Sequence, residues 1–406
     1  MSKLSNIVKK SLLGISVIGV TASGLMACDR PSIFNSSNVP IVKSLALMVV
    51  PNKDRIDVLD MQTNRVTQSL KTDQRPSSIA ASPDGRLVLV SNSNSGTISV
   101  YLRRDNETFE QLNSIGQGTR PIGIAFNPAP NVNEAYVAYE GDGKVLVLDT
   151  SSRTAAPRIV RALNLQGASP RKMAVSNDGN RIYVTDNAAA RLIILTRTGT
   201  TFTRNEVPLV QGIANTPGST TNTNINLDGI YIDQPEINPN VPQSPQTSQG
   251  TGRIFISNNT QDEVIVVRGN TVESKIGLKD NQIAGANQVG PRNMTIYRNP
   301  QTGVEKLYVA GYNASVISVI DIKSLRLIRN IPLSQSGVAR DSYNPVGVGV
   351  GTLASKEDVI YVTNSSGMTI SLVDPVNDSL KRNLSTTISA AAQDPLGEVV
   401  TVGPVR

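Results

Sequence analysis

The side chains that could carry out catalysis are restricted by the composition of the chain. Its 406 residues include no histidine and a single cysteine, Cys28. Serine–histidine and cysteine–histidine nucleophiles, and zinc sites of ordinary composition, depend on those residue types. The sequence therefore excludes them, and it predicts neither a metal site nor a cofactor. Carboxylate chemistry stays open in principle.

The most visible acidic residues recur at equivalent positions of a repeated pattern. Asp60, Asp149, Asp321 and Asp374 each end a short alternating run. Aspartate at such a position typically accepts hydrogen bonds within the following turn. We therefore predict a structural role for these four carboxylates.

Four arginines stand next to prolines and are the candidate ligand-binding residues: Arg75, Arg120, Arg171 and Arg292. Guanidinium groups bind carboxylate or phosphate through paired hydrogen bonds, so a cluster of them would attract an anion. The alternative is that each arginine is solvated or paired with an acid of a neighbouring repeat. Arg75 and Arg120 precede their prolines, whereas the other two follow them. Because side chains alternate along a strand, this offset predicts that only one pair faces a common channel.

The prolines belong to a repeat that must position these side chains. RIYVTDN (181–187) combines strand-forming residues with a turn-forming end, and seven such copies follow one another along the chain. Each copy is followed by a second alternating run, and most are preceded by a run that begins with proline. One proline is missing, in INLDGIYID (225–233). The prolines at 76, 121 and 170 are 45 and 49 residues apart, a period typical of repeat architectures.

Each repeat holds about four short strands, which predicts an all-β chain. A four-stranded sheet cannot bury both of its faces alone, so the units must stack radially. We predict a seven-bladed β-propeller of four-stranded antiparallel blades over residues 45–406. The first unit, 45–72, has only three strands, whereas DPLGEVVTVG (394–403) is a strand without a unit. The C-terminal strand is therefore predicted to pair with the first blade and close the ring.

The repeat resembles that of the YVTN-repeat (YncE-like) β-propellers of bacterial and archaeal surface and periplasmic proteins. The stretches that match are QGTRP (117–121) and YVTDN (183–187), within a resemblance that covers about residues 45–403. The resemblance implies the propeller fold. It implies no activity, because that family is unified by a structural repeat rather than by a catalytic site.

The N-terminus predicts the cellular location. A basic head and a short apolar run that ends at Cys28 are typical of a secretory signal, here residues 1–27. Leu25-Met26-Ala27-Cys28 resembles the bacterial lipobox, in which the cysteine is acylated and becomes the first residue. The alternative is an ordinary signal with a chance cysteine. Residues 28–44 would then be a lipidated, flexible tether that holds the propeller at the bacterial cell envelope, facing the periplasm or the exterior.

Charge and aromatic content limit the partners. The chain has 39 basic and 32 acidic residues, and three of the lysines precede Cys28. The mature protein is therefore only mildly basic, and aromatic residues are 4% with no tryptophan. Nucleic acid is an improbable partner for such a surface. We expect a monomeric propeller whose partners are the membrane, through the lipidated N-terminus, and an envelope protein or an anionic ligand.

Three functions are compatible with the sequence. The first is a binding or scaffolding module for a protein or an anionic ligand. The second is an enzyme resembling the lactonase propellers, acting on a phosphorylated or carboxylated sugar; the arginines favour it, whereas the lack of histidine and of an acid pair outside the repeat argues against it. The third is a structural component of a surface layer. A proline-rich insertion, 234–252, is predicted to be a long loop in the fifth blade, where binding function is also possible.

Overall fold

A computed structural model describes residues 44–403, except for 117, 153, 211–224, 235–250, 281–282, 284–287, 300, 335–342, 367–368 and 386–393. The predicted signal, Cys28 and almost all of the predicted tether lie outside the described residues. So does most of the predicted loop at 234–252.

The described chain folds into seven four-stranded antiparallel sheets, blades 1 to 7. In every blade the strands are adjacent in sequence order from the centre of the ring outwards, apart from the innermost strand of blade 1. Blade 1 contains β1 (Leu45–Val50), β2 (Arg55–Asp60), β3 (Arg65–Lys71) and, innermost, β28 (Val399–Val402). Blade 2 contains β4 (Pro76–Ala81), β5 (Leu87–Asn92), β6 (Thr97–Arg103) and β7 (Phe109–Ile115). Blade 3 contains β8 (Pro121–Phe126), β9 (Glu134–Tyr139), β10 (Lys144–Asp149) and β11 (Arg158–Asn164). 

The remaining four blades repeat this arrangement, and a 3-10 turn, Pro51–Lys53, links β1 to β2. Blade 4 contains β12 (Pro170–Val175), β13 (Arg181–Asp186), β14 (Arg191–Thr198) and β15 (Thr201–Pro208). Blade 5 contains β16 (Leu227–Ile232), β17 (Ile254–Asn258), β18 (Glu263–Arg268) and β19 (Thr271–Gly277). Blade 6 contains β20 (Pro291–Arg298), β21 (Glu305–Gly311), β22 (Val316–Asp321) and β23 (Arg326–Pro332). Blade 7 contains β24 (Pro345–Thr352), β25 (Asp358–Asn364), β26 (Thr369–Asp374) and β27 (Ser379–Ser385). The predicted seven-bladed propeller is confirmed.

Apolar side chains fill the interfaces between blades. Seven buried clusters are present in the described chain, and each joins one blade to the next around the ring. The second strands are buried almost throughout, as in β5 and β17, because both of their faces pack against neighbouring blades. The outermost strands alternate between exposed and half-buried residues, as in β15. The core is therefore a closed series of sheet-to-sheet interfaces.

The C-terminal strand closes the ring as predicted. β28 pairs antiparallel with β1, from Leu45 opposite Val402 to Met48 opposite Val399. Leu396, just before β28, is 1% exposed and packs in the cluster between blades 7 and 1. Blade 1 thus combines the first three strands of the described chain with its last one.

The asparagine that recurs at the end of a second strand in more than one blade has a hydrogen-bonding role. The Asn92 side-chain amide, at the end of β5, donates to the hydroxyls of Thr97 (3.2 Å) and Ser99 (2.9 Å) on β6. Asn364 makes the equivalent bonds to Thr369 and Ser371 in blade 7. These asparagines therefore tie the second strand to the third across the turn.

The ring has two distinct ends, because every innermost strand runs in the same direction. We call the end at which these strands begin the mouth face, and the end at which they finish the far face. Ser44 lies at the far face, where its N–H donates to the carbonyl of Val402 at 2.9 Å. Val402 and Gly403 lie beside Gly85, in the turn that follows β4. Both ends of the described chain are therefore at the far face.

Candidate functional site

A cavity of about 580 Å³ opens at the mouth face, and we call it the mouth cavity. All four arginines identified from the sequence line it: Arg75, Arg120, Arg171 and Arg292. They come from blades 2, 3, 4 and 6, and blade 5 contributes Asp228 between the last two. The expectation that only one pair faces the channel is wrong.

A bulge at the start of the innermost strand in blades 2 to 7 explains why both pairs reach the cavity. In β12 the pairing register shifts between Pro170 and Met173, and in β20 it shifts between Pro291 and Met294. An extra residue in one strand interrupts the alternation of side chains. Arg171 and Arg292 sit in these bulges and turn toward the channel. Simple alternation, on which the sequence argument depended, fails at these positions.

Arg171 is held in place by two carboxylates of neighbouring blades. Its Nε and Nη2 donate to Oδ1 of Asp228 at 3.2 and 3.0 Å, and its Nη1 lies 3.5 Å from Oε1 of Glu140. The Asp228 and Glu140 side chains are only 7% and 8% exposed. Glu140 also pairs with Arg120 across 2.9 Å. The wall is thus a continuous ion-pair network from blade 3 to blade 5.

Arg292 continues this network and stacks on an aromatic ring. Its Nη1 lies 3.5 Å from Oδ2 of Asp228, and its guanidinium carbon lies 3.9 Å from the centroid of the Tyr312 ring. A planar cation over an aromatic face gains electrostatic attraction and loses few conformations. Within the described chain the buried Nε of Arg292 and Oδ2 of Asp228 make no hydrogen bond.

Arg75 and Arg120 form the exposed rim of the mouth cavity. Both residues have left-handed backbone conformations, with φ of 55° and 56°. The Arg75 N–H donates to Oδ1 of Asp54 at 2.7 Å, which holds its backbone while its side chain is exposed. Arg120 is 59% exposed at the side chain. The rim charges are therefore presented to solvent from a fixed backbone.

The turn before Arg120 is held by a carboxylate. The Thr119 N–H donates to Oδ2 of Asp142 at 3.1 Å, and Lys144 lies 2.8 Å from the same oxygen. Hydrogen bonding to Lys144 is the main effect that lowers the pKa of Asp142 below its ordinary range. Asp142 therefore stays ionised at neutral pH and continues to accept the bond that orients this turn.

A second ion pair crosses the channel at the wall of the mouth cavity. The Lys172 ammonium of β12 pairs with Oε1 of Glu398, just before β28. Oε2 of Glu398 accepts a hydrogen bond from the Ser78 hydroxyl of β4 at 2.7 Å. Lys172 and Glu398 are 11% and 13% exposed, so the pair is largely removed from water. It links blades 1, 2 and 4 across the centre of the ring.

The sequence analysis missed the three acids that converge on this site. Glu140, Asp228 and Glu398 lie outside the repeated aspartate positions, which corrects the statement that no acid pair stands outside the repeat. Leu227 stands where other blades have proline, and Asp228 follows it. The missing proline was therefore the available signal for this acid. The repeated aspartates behave as predicted: Oδ1 of Asp60 accepts from the Gln62 N–H at 2.7 Å, with equivalent turn bonds at the other three, Asp149, Asp321 and Asp374.

The described residues that flank the predicted loop at 234–252 lie at the opposite end of the ring. Gln234 and Thr251 follow the far-face end of β16, and Oδ2 of Asp233 accepts from the Thr251 N–H at 2.9 Å. Residues 235–250 themselves lie outside the described residues, as Cys28 does. The described neck of the loop and the mouth cavity are on different faces and cannot form one site.

Metal and membrane features were searched in the described part of the chain. It contains no group of three or more histidine, cysteine, aspartate or glutamate residues that could hold a metal ion. No helix within these same residues is long and apolar enough to span a bilayer.

Comparison with known proteins identifies the fold but not a family. No protein-family model matches the sequence, and no curated protein matches it significantly. Among solved structures, a functionally unknown protein from Desulfotomaculum acetoxidans DSM 771 superposes with a TM-score of 0.63 at 10% identity, over 89% of this chain and 99% of that chain. AztD from Citrobacter koseri gives 0.58 at 12% identity, over 90% and 100%. The periplasmic gluconolactonase of Pseudomonas aeruginosa gives 0.59 at 14% identity, over 88% and 99%. Such low identities support a shared propeller fold alone.

Proposed function

We propose that this protein is an envelope binding module whose mouth cavity takes an anionic organic ligand. The observation that carries the proposal is the lining of that cavity. Five cationic side chains, the four arginines and Lys172, face two carboxylates, Asp228 and Glu398. An excess of guanidinium groups in a concave site focuses anions and binds carboxylate or phosphate bidentately.

The two kinds of arginine have different parts in this function. Arg171 is occupied by Asp228 and Glu140 and stiffens the wall. Arg75 makes no side-chain ion pair within the described chain, and Arg120, although paired with Glu140 at 2.9 Å, is 59% exposed, so both rim charges can reach a ligand. Arg292 offers a guanidinium stacked on Tyr312 at the blade 6 side of the same cavity. The rim would attract the anion, and the wall would orient it.

The size and polarity of the cavity indicate the ligand class. A volume of about 580 Å³ suits a small organic molecule. Between Arg292 of blade 6 and Arg75 of blade 2, the lining is partly apolar, with Val346, Pro395 and Leu396. A carboxylated or phosphorylated sugar, or an acidic side-chain segment of a partner protein, would satisfy both sides.

A lactonase-like activity is the second candidate. It is favoured by the convergence of Glu140, Asp228 and Glu398, and by the fold shared with a protein named as a periplasmic gluconolactonase. Each of these carboxylates is ion-paired, which favours a positioning role over that of a general base. Release of acid from glucono-δ-lactone above the background rate, lost in Asp228→Asn, would support the enzyme over the binding module.

Two further proposals concern family and location. The repeat supports membership of the YVTN-repeat propellers, and Leu25-Met26-Ala27-Cys28 supports acylation of Cys28. A diacylated cysteine would hold the propeller at a membrane outside the cytoplasm. Labelling with a radioactive fatty acid tests this proposal: the wild type should incorporate label and Cys28→Ser should not. An unlabelled wild type would refute it.

The binding proposal is tested with anions and a matched pair of double variants. The probes are 6-phosphogluconate and citrate, titrated by calorimetry at several salt concentrations. Arg75→Glu with Arg120→Glu should weaken binding at least about a hundredfold, because two charge-assisted contacts of ~1.5–3 kcal/mol each are lost. Binding should also weaken with salt, since exposed charges are screened within about 8 Å at physiological ionic strength.

The control has the same change of charge at a distance from the cavity. Arg65→Glu with Arg326→Glu alters exposed arginines of the outermost strands β3 and β23. It should leave the affinity within twofold of wild type. Equal losses in both double variants, or an affinity that ignores salt, would contradict the mouth cavity as the site. Binding of neither probe would refute the ligand class.

A further inference from the structure

The far face carries the chain that leads to the membrane anchor. Ser44, the first described residue, donates a backbone hydrogen bond to Val402 at the end of the ring opposite the arginines. β1 then runs from the far face to the mouth face, where Pro51 and Asn52 line the mouth cavity. The anchoring segment and the mouth cavity are thus separated by the full length of an inner strand, about 20 Å for six residues.

We infer that the mouth cavity points away from the membrane that anchors the protein, and that it takes its anion from solution rather than from the lipid headgroups of that membrane. The inference rests on the proposed acylation of Cys28 and the proposed anion site. It selects between two sources of the same chemistry, since phosphate groups are found both on lipids and on soluble molecules.

The length of chain between Cys28 and Ser44 makes this orientation the favoured one. Sixteen peptide units span at most about 55 Å when fully extended. To turn the mouth face to the bilayer, the segment would have to pass two further strand spacings to the rim, about 10 Å, and then the depth of the ring, about 20 Å plus its turns. That path, about 30 Å before the turns are added, would use more than half of the maximum span. Strong extension costs chain entropy, so the far face should remain next to the membrane.

Two other described parts of the chain also lie on the far face. The neck of the insertion, at Asp233 and Thr251, and Gly403, the last described residue, lie on that same face. The mouth face by contrast presents Arg75 and Arg120, the exposed cations of the rim. Long-range attraction of a soluble anion is therefore unobstructed by the anchoring segment.

The test measures the distance of each face from the bilayer. The full-length acylated protein is reconstituted in phosphatidylcholine vesicles whose headgroups carry an energy acceptor. Ser95→Cys places a single donor label at a mouth-face turn, and Ser355→Cys places one at a far-face turn; both serines are exposed, and Cys28 is blocked by its thioether. Transfer should be clearly stronger from the Ser355→Cys label. Equal transfer, or stronger transfer from the Ser95→Cys label, would overturn the orientation.

A second arm separates the two sources of anion. Adding phosphatidylglycerol to the vesicles should leave transfer from the Ser95→Cys label unchanged. A rise that is abolished by Arg75→Glu would show that the mouth takes headgroups, and would overturn the inference while leaving the anion site in place. Labelled protein recovered in the supernatant would instead refute the anchor, and the orientation with it. Retained binding of 6-phosphogluconate by the anchored protein supports a soluble ligand.

Discussion

Ring closure depends on a segment of about ten residues, and its removal should abolish the native fold. Deletion of residues 394–406 removes β28 and the segment before it. Blade 1 would then present the whole inner edge of β1, with unpaired backbone N–H and C=O groups, to solvent. An exposed strand edge is a template for pairing with another chain. We expect insoluble or oligomeric protein.

The loss of stability expected on deletion follows from what residues 394–403 bury. Leu396 and Val402 are 1% and 5% exposed, so their loss removes ~3–6 kcal/mol of apolar burial. The guanidinium of Arg103, which is fully buried, loses the carbonyl of Gly403, and Lys172 loses Glu398. Lys172 is then left without its carboxylate, and Arg103 keeps Glu107 but loses one acceptor, so both add further cost. The total is comparable with the 5–15 kcal/mol by which domains are stable.

The assay compares two truncations by size-exclusion chromatography with light scattering, and by urea unfolding. A stop after Gly403 is the matched control, because it keeps β28 and the carbonyl partner of Arg103; it should behave as wild type. Leu396→Ala is the graded variant, and should lower the free energy of unfolding by ~2–5 kcal/mol with an unchanged urea dependence. If deletion of 394–406 gives a soluble monomer that melts at the wild-type temperature, the assignment of closure to this segment is refuted.

Two further predictions concern charge. Hydrogen bonds from Ser151 lower the pKa of Asp149 to about 2. The stability that Asp149 contributes is therefore present above the unfolded pKa near 4 and is lost as pH falls toward 2. Over that pH range the melting temperature should fall less for Asp149→Asn than for wild type, and equal falls would contradict this linkage. Lys172→Met should destabilise the protein by somewhat less than the ~3–5 kcal/mol expected for a fully buried pair, because both partners keep slight exposure. The double variant Lys172→Met with Glu398→Gln should recover most of that loss. A double variant no more stable than Lys172→Met would show that the pair does not act as a unit.

The repeat alone was sufficient to predict the architecture. Strand-forming runs, turn-forming ends and prolines recur with one period, and these are local signals: alternation, turn propensity and a fixed backbone angle act within a few residues. The count of strands also predicted closure, because blade 1 lacked one strand and residues 394–403 formed an extra one. Turn roles for residues such as Asp60 followed from the same local chemistry.

The composition of the mouth cavity was decided by tertiary structure. That Arg75 and Arg171 line one cavity depends on bulges that interrupt side-chain alternation, and neither composition nor period reveals a bulge. The pairing of Lys172 with Glu398 joins residues 226 positions apart, and it exists only once the ring has closed. Which face carries Ser44 likewise follows from the direction of β1 after pairing with β28. Local propensities specify each blade, whereas contacts between blades arise from closure, which no single repeat encodes.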